Sequence, residues 1–364
     1  MRADVAAVRA AQAEGGAILA CPAYPIYRYS WLRDGAFCAV ALDAGGDRDA
    51  SRSFHRWAAA RVLASELPMR RAIEAVAVGH EPGPNDYLAC RFTEAGAAPT
   101  GDGWGSFQMD GPGLWLWALE RHVHVVGGPS RLDRDLHRAA ALSAEYISAM
   151  WRRPSYDAWE EHEDRLASST LAACLAGLLA ANRLDHEPDG AQAAVDGMRT
   201  ELAARAGRVG SLPRADADDA VDASILWCGP LLGAFHSSDA TWTATLARVE
   251  AELLGPGSGV YRYTADTFYG GGQWPVLTAS YGLACLERDG PGDRGRAESA
   301  MAWIEDQRDS QGRLPEQSSE NALAPEHTAE WESRWGPLAT PLTWSHAMAV
   351  LLQAALAQPD VRRA

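Results

Sequence analysis

The spacing of apolar residues along this 364-residue chain is helical almost throughout. Ala, Leu, Glu and Arg fill most segments, whereas alternating runs of β-branched residues are few. This pattern predicts helices at 3–14, 34–44, 49–65, 112–125, 133–151, 166–181, 188–206, 221–234, 239–253, 275–288, 293–307 and 341–356.

These predicted helices alternate between two kinds. Odd-numbered members such as 133–151 and 188–206 mix charged and apolar residues, whereas even-numbered members such as 166–181, 221–234 and 275–288 are apolar nearly all round. Since a helix without a polar face is buried, the pattern predicts six outer and six inner helices. We therefore expect an all-α fold, an (α/α)6 barrel, although no internal sequence repeat supports it independently.

The connecting segments also fall into two classes. Segments that enter the odd-numbered helices are mostly short. Several segments that enter the even-numbered helices are long and hold much of the Gly, Pro and aromatic content: 15–33, 66–111, 152–165, 254–274 and 308–340. In an alternating barrel these long loops must share one end. Long loops on a rigid scaffold are where functional sites are built.

Composition narrows the class of protein and of partner. Hydrophobic residues make up 47% and charged residues 22% of the chain, which suits a large core and argues against disorder. A net charge of -15 disfavours nucleic acid and anionic membranes as partners, so we expect a small neutral ligand. With no apolar leader and no long apolar run, we predict a cytoplasmic protein. Its length is compatible with a single domain, 1–364, which is our expectation. The oligomeric state is left open.

Motifs for metals and phosphates are weak. The six cysteines are scattered without any C-x-x-C, so we expect them to act as small hydrophobes. In His122-Val123-His124 a spacing of two points the rings to different sides of a helix, and we interpret the pair as helix surface. Gly270-Gly271-Gly272 lacks the G-K-[ST] of a phosphate loop and is interpreted as a tight turn. We expect no metal and no cofactor.

The strongest chemical signal is Trp159-Glu160-Glu161. An apolar indole and a neighbouring anion both make a carboxyl harder to ionise, so one of these glutamates is a candidate proton donor near neutral pH. Glu316 is an isolated carboxylate on a distant loop, and two carboxyls held apart across a sugar are the minimal apparatus for glycoside hydrolysis. From the residues alone, Glu161 competes with Glu160. Four acidic residues compete with Glu316: Glu320, Glu326, Glu330 and Glu332.

Further aromatic and polar motifs occupy the long loops, at 27–34, 104–112, 156–161, 262–274 and 314–317. In this order they resemble glycoside hydrolase family 15, the group of glucoamylases, glucodextranases and bacterial trehalases, and the resemblance extends to 342–347. It implies an (α/α)6 barrel and the inverting release of glucose from a non-reducing end. It also implies that Glu160 is the general acid, that Glu316 is the general base, and that Tyr27 helps to hold the attacking water.

The same resemblance implies a subsite for the terminal sugar. Arg33 and Asp34 are expected to grip its hydroxyls, and Arg262 and Trp159 to complete the subsite. A buried Arg-Asp pair offers both donors and acceptors to hydroxyls. Without the family, the preferred interpretation of Arg33-Asp34 is a helix N-cap with its salt bridge. The remaining motif residues that we expect to bind substrate are Trp31, Trp104, Gln108, Asp110, Glu161, Asp266 and Trp274.

Two departures from the family concern the sugar beyond the cleaved bond. Ser106 stands where fungal members carry Arg, and His162-Glu163 stands where they carry Asn-Gly. We also expect no separate carbohydrate-binding module, because the chain lacks the room for one. A bare catalytic barrel suits a short oligosaccharide, and we expect isomaltose-type α-1,6 linkages ahead of maltose-type α-1,4 linkages, with trehalose third. The alternative class is a non-hydrolytic toroid, such as a sugar isomerase or an oligosaccharide-binding protein. Isomerases on such barrels usually use paired histidines, whereas the long loops offer mainly His80, His162 and His327, none inside a matching motif.

Overall fold

A computed structural model describes residues 1–99 and 104–358. Residues 100–103 of the predicted loop 66–111, and residues 359–364 of the predicted domain, lie outside this description. The α-helices of the described part are α1 (Arg2–Ala10), α2 (Leu32–Ala44), α3 (Arg48–Ala64), α4 (Glu66–Ala77), α5 (Asp110–Val126), α6 (Arg134–Met150), α7 (Ser168–Arg183), α8 (Ala191–Val209), α9 (Ala240–Glu252), α10 (Pro275–Arg288), α11 (Asp293–Asp306), α12 (Thr328–Trp335) and α13 (Thr343–Ala357). Two short strands, β1 (Ser30–Trp31) and β2 (Arg91–Phe92), pair in antiparallel register.

Six elements close into an inner ring. Helices α2, α5 and α7 contact one another in sequence, the 3-10 segment Ala223–Cys228 follows, and α10 and α13 lead back to α2. Helices α1, α3, α6, α8 and α11 pack outside this ring, and α9 buries one face only. The alternation of outer and inner elements confirms the predicted (α/α)6 barrel.

The burial of each helix explains its layer. Helix α7 has buried residues on all sides, whereas α8 buries a single face. Helices α5 and α7 approach closely, because a Cβ added at Gly177 would lie 2.6 Å from the Cα of Gly113. Small residues thus bring the inner helices together, and the apolar residues around them form a continuous core.

Three helix predictions were wrong. Segment 221–234 forms only the 3-10 turn Ala223–Cys228, because Gly229 and Pro230 follow it and proline neither donates a backbone N–H nor tolerates a helical residue before it. Helix α4 lies inside the predicted loop 66–111. Its Pro68 is tolerated because it lies in the first turn, where a backbone N–H has no partner within the helix. Helix α12 lies inside the predicted loop 308–340.

Four aromatic side chains close the barrel along its axis. Phe37 stacks on Trp344, with ring centroids 5.4 Å apart, and both rings contact Trp227. Trp117 also packs against Phe37, with ring centroids 5.4 Å apart. These residues come from four different inner elements, so the interior of the barrel is filled and does not form a channel.

The long loops meet at one end of the barrel. Strand pairing joins loop 15–33 to loop 66–111, and the backbone N–H of Tyr156 donates to the carbonyl of Phe107. The N–H of Ser318 likewise donates to the carbonyl of Gln273. Inner helices begin at this end, so their positive dipole ends face it. The predicted convergence of the loops is confirmed.

Several smaller features of the structure match the predictions made from the sequence, and one does not. All six cysteines are free and buried, and Gly270 and Gly271 adopt positive φ angles of 87° and 68° in a turn. None of the helices in residues 1–99 and 104–358 is long and apolar enough to span a membrane. The prediction for His122 was wrong. His124 is exposed, but His122 is 3% exposed and lies in the protein interior.

Candidate active site

A cavity of about 410 Å³ lies at the loop end of the barrel. Most of the site residues predicted from sequence line it: Tyr27, Trp31, Arg33, Asp34, Trp104, Trp159, Glu160, Glu161, Arg262, Trp274 and Glu316. Gln108, Asp110 and Asp266 are buried behind this wall and do not line the cavity. The structure therefore brings together residues from all five long loops.

Glu160 sits in a tight turn that the chain holds by its own hydrogen bonds. One carboxylate oxygen of Asp157 accepts the backbone N–H groups of Trp159 and Glu161, at 2.9 and 3.0 Å. Glu160 itself has a φ of 64°, a left-handed conformation that costs free energy for any residue other than glycine. This turn sends the side chains of Glu160 and Glu161 to different partners.

Indole and amide N–H groups fix the carboxylate of Glu160. Its Oε1 accepts from Trp31 Nε1 at 2.5 Å and from Gln108 Nε2 at 2.7 Å, and its Oε2 accepts from the indole of Trp104. Arg33 lies 3.9 Å away. The indoles at this carboxylate thus donate hydrogen bonds to it, and the N–H of Trp159 points elsewhere, to Asp222.

Glu161 belongs to an ionic network. Its carboxylate accepts the hydroxyl of Tyr263 at 2.7 Å and lies 3.5 Å from the guanidinium groups of Arg214 and Arg262. The two guanidinium groups and the tyrosine hydroxyl therefore surround the carboxylate oxygens of Glu161. Of the two adjacent glutamates, only Glu160 has a carboxylate held by the indoles of the cavity wall.

Glu316 lines the same cavity and is deeply buried. It is 4% exposed, and its Oε2 has no hydrogen-bond partner among the described residues. Burial raises the pKa of Glu316 to about 8, although the charge of Arg262 and the hydroxyl of Tyr27 oppose this shift. Its four acidic competitors are all exposed and none lines the cavity: Glu320, Glu326, Glu330 and Glu332.

Arg33 and Asp34 form a buried ion pair at the start of α2. The N-cap of α2 is Trp31, which makes no side-chain cap bond, so the interpretation of Asp34 as an N-cap was wrong. Arg33 donates to Gln108 at 2.7 Å and to Asp110 at 2.9 Å, and lies 3.6 Å from Asp34. Burial raises the pKa of Asp34 to about 7 despite Arg33. The buried residues behind the wall thus orient Arg33.

Arg262, which also lines the cavity, is likewise held by a buried carboxylate. Asp266 accepts two N–H groups of its guanidinium, at 2.8 and 2.6 Å, which fixes its plane. The rings of Trp159, Trp274 and Phe268 surround the guanidinium, with centroids 5.1 to 5.4 Å from its central carbon. Arg262 is therefore held in one orientation, and Asp266 influences the cavity through its contact with Arg262.

Sequence reasoning missed two groups of residues. Further side chains that line the cavity are Tyr156, Phe268, Trp331, Arg334, Trp335 and Trp344. Trp331 and Trp335 lie in helix α12, and their aromatic character within an acidic loop was the signal that would have identified them. The second group, Asp157, Arg214 and Asp222, positions the turn and its indole. Arg214 and Asp222 have partners that are distant in sequence, so no local pattern reveals them, whereas Asp157 contacts its own turn.

Comparisons with known proteins agree with this geometry. Residues 4–335 match the family model described as glycosyl hydrolases family 15. An isomaltose glucohydrolase from Kribbella flavida is 37% identical over 348 residues, which cover 94% of this chain and 88% of the relative. A solved glycosidase variant in complex with glucose superposes with a TM-score of 0.91 at 35% identity, covering 98% of this chain and 95% of that one.

A more distant solved structure shares the fold of this chain. A bacterial glucoamylase complexed with acarbose superposes with a TM-score of 0.70 at 19% identity, covering 98% of this chain and 56% of that one. The family match spans nearly the whole chain and includes the loops that bring Glu160 and Glu316 to one cavity. The chain therefore belongs to glycoside hydrolase family 15 and is a glycoside hydrolase.

Proposed function

We propose that this protein is an inverting, exo-acting α-glucosidase that releases glucose from the non-reducing end of a short α-glucoside, with a preference for the α-1,6 linkage of isomaltose. The observation that carries the proposal is the pair Glu160 and Glu316 on one cavity beside the buried pair Arg33 and Asp34. Two carboxyls and a polar grip on sugar hydroxyls are what the reaction requires.

Glu160 and Glu316 take different roles in this scheme. The carboxyl of Glu160 gives its proton to the glycosidic oxygen as the bond from that oxygen to the anomeric carbon breaks. Glu316 takes a proton from a water, and the resulting hydroxide adds to the opposite face of the anomeric carbon, so the product is β-glucose. A base works best when its pKa lies near the working pH, and burial moves Glu316 in that direction.

An exo action is supported by the filled barrel. Trp344 lines the cavity and belongs to the aromatic cluster that closes the barrel axis, so a glucan chain has no passage beyond the site. Arg33, Asp34 and Arg262 are rigid and buried, and their geometry suits the hydroxyls of one terminal ring. A ring that continued past its 4-OH would leave these polar groups unpaired, which disfavours internal cleavage.

The proposal of a short substrate rests on the cavity and its rim. About 410 Å³ is at the small end of ligand sites, and Trp331, Arg334 and Trp335 of α12 occupy the rim. Trp104 contacts Trp335, with centroids 6.3 Å apart, so two indoles from different loops flank the entrance. The preference for the α-1,6 linkage is supported by the 37% identity to an isomaltose glucohydrolase.

Glucose release from isomaltose, maltose, trehalose and longer α-glucans tests the proposal. We expect the highest kcat/KM on isomaltose, a lower value on maltose, and a steep decline with chain length. Faster hydrolysis of trehalose would favour the trehalase alternative. Tight binding of oligosaccharides without any glucose release would contradict the hydrolytic function.

A further inference from the structure

A second cluster of titratable side chains lies far from the active site. Asp43 is in the last turn of α2, His122 is near the end of α5, and His55 faces them from α3. Asp34 and Asp110 begin the same two inner helices at the active-site end. At 1.5 Å per residue, nine residues of α2 and twelve of α5 separate the two sites by roughly 13 to 18 Å.

His55 is buried without a hydrogen bond. It is 0% exposed, and neither of its ring nitrogens has a partner among the described residues. A neutral imidazole with a free lone pair is the form that ligates metals, and leaving it unpaired in the interior costs free energy.

His122 and Asp43 complete an arrangement that recurs around metal ions. The Nδ1 of His122 lies 3.1 and 3.0 Å from the two carboxylate oxygens of Asp43 and 3.2 Å from the hydroxyl of Ser51. The ring centroids of His55 and His122 are 5.0 Å apart. Two imidazoles and one carboxylate therefore converge from three helices.

A cavity of about 300 Å³ adjoins the two histidines and gives access to them. Two arginines also line it, but both have anionic partners: Arg52 is 3.0 Å from Asp49 and Arg56 is 3.0 Å from Asp133. Their charges are thus partly compensated. Among the described residues, the carboxylate grouped with these histidines is that of Asp43, whose side chain is only 5% exposed.

We propose that Asp43, His55 and His122 bind a divalent transition metal ion, with Zn²⁺ as the best match. Imidazole nitrogens favour Zn²⁺ over Ca²⁺ and Mg²⁺, which prefer oxygen ligands. One ligand atom from each residue lies within 4.8 Å of the others. A tetrahedral site with bonds of 2.0 to 2.2 Å needs ligands about 3.4 Å apart, so small side-chain rotations close the site, and the cavity supplies a water as the fourth ligand.

The function of this ion is structural. It cross-links the inner helices α2 and α5 to the outer helix α3 at the end of the barrel opposite the long loops. Because metal that binds only the folded chain stabilises it, added Zn²⁺ raises the melting temperature. Hydrolysis does not require the ion, since the residues that line the catalytic cavity lie at the other end of the barrel.

Calorimetric titration of the full chain with Zn²⁺, after treatment with a chelator, tests the proposal. We expect one ion per chain, and binding weakened by about 100-fold or more in His55→Gln and His122→Gln, which each remove one ligand. His124→Gln is the matched control, because this exposed histidine lies on the same helix. Equal weakening in the control, or full binding by both cluster variants, would overturn the proposal.

A second measurement needs no variant. Co²⁺ added to the native chain should give the intense visible absorption of a four-coordinate ion, and Zn²⁺ should abolish this absorption by displacement. Only the weak spectrum of hydrated Co²⁺, or no saturable binding of either ion, would refute the site. Glucose release by the chelator-treated protein is followed in parallel and is expected to be unchanged.

Discussion

The indole nitrogen of Trp159 lies 3.0 and 2.9 Å from the two carboxylate oxygens of Asp222. Asp222 is 1% exposed, also accepts the backbone N–H of Ser224, and does not line the cavity. Trp159 does line it. A buried carboxylate outside the cavity therefore sets the orientation of an indole in its wall.

We predict that Asp222→Asn weakens substrate binding while the fold persists. An amide keeps the volume of the side chain but offers one acceptor where the carboxylate offers two, so Trp159 loses part of its anchor. A displacement of the order of 1 Å in a positioning group costs up to about 100-fold in rate, so we expect kcat/KM to fall by about 10- to 100-fold. The control is Asp219→Asn, an exposed carboxylate of the same acidic segment. An unchanged kcat/KM in Asp222→Asn would contradict this role.

Glu160→Gln and Glu316→Gln should each lose activity by about 100- to 10,000-fold or more, because each removes one proton-transfer group. An aryl α-glucoside with a good leaving group distinguishes them. Such a substrate needs little help from an acid, so it should restore turnover to Glu160→Gln and leave Glu316→Gln inactive. Glu161→Gln is the matched control, and near wild-type proton transfer is expected there. The opposite rescue pattern would reverse the two roles.

The raised pKa of Glu316 predicts the direction in which activity changes with pH. A base must be unprotonated, so kcat/KM should be lost as the pH falls through this raised pKa, at a higher pH than for an ordinary glutamate. The hydroxyl of Tyr27 lowers the pKa of Glu316, so Tyr27→Phe should move the acidic limb of the pH profile of kcat/KM to higher pH. A limb that stays in place, or moves to lower pH, would show that Glu316 does not control it.

The fold and the site were predictable to different extents. The inner helices 166–181 and 275–288 followed from their apolar character, because a buried helix needs no polar face. The same criterion failed at 221–234, since burial does not distinguish an α-helix from a 3-10 turn stopped by Gly229 and Pro230. His122 was interpreted as helix surface because its spacing of two from His124 points the two rings to different sides of a helix, whereas its partners Asp43 and His55 come from other helices.

Gly272 connects the two loops that carry Arg262 and Glu316. A Cβ there would lie 1.9 Å from the carbonyl oxygen of Ser318, and its N–H donates to Gln317 at 2.6 Å. Gly272→Ala should therefore destabilise the protein by about 1 to 3 kcal/mol and lower kcat. Gly207→Ala is the control, because a Cβ on that helical glycine meets nothing within 4 Å, and it should stabilise the protein by about 0.5 to 1 kcal/mol. Thermal denaturation with activity assays checks both, and similar melting temperatures in the two variants would contradict the close approach of the loops.

The central claim is that Glu160 and Glu316 act on opposite faces of the anomeric carbon. In the proposed mechanism, Glu316 delivers water from the face away from the leaving group, which would convert an α-glucoside into β-glucose. The most direct test follows the anomeric proton signals by NMR during the first turnovers of methyl α-isomaltoside, whose blocked reducing end leaves the non-reducing glucose as the only free sugar released. The account predicts that β-glucose appears first and that α-glucose follows only by mutarotation. Initial release of α-glucose would contradict it.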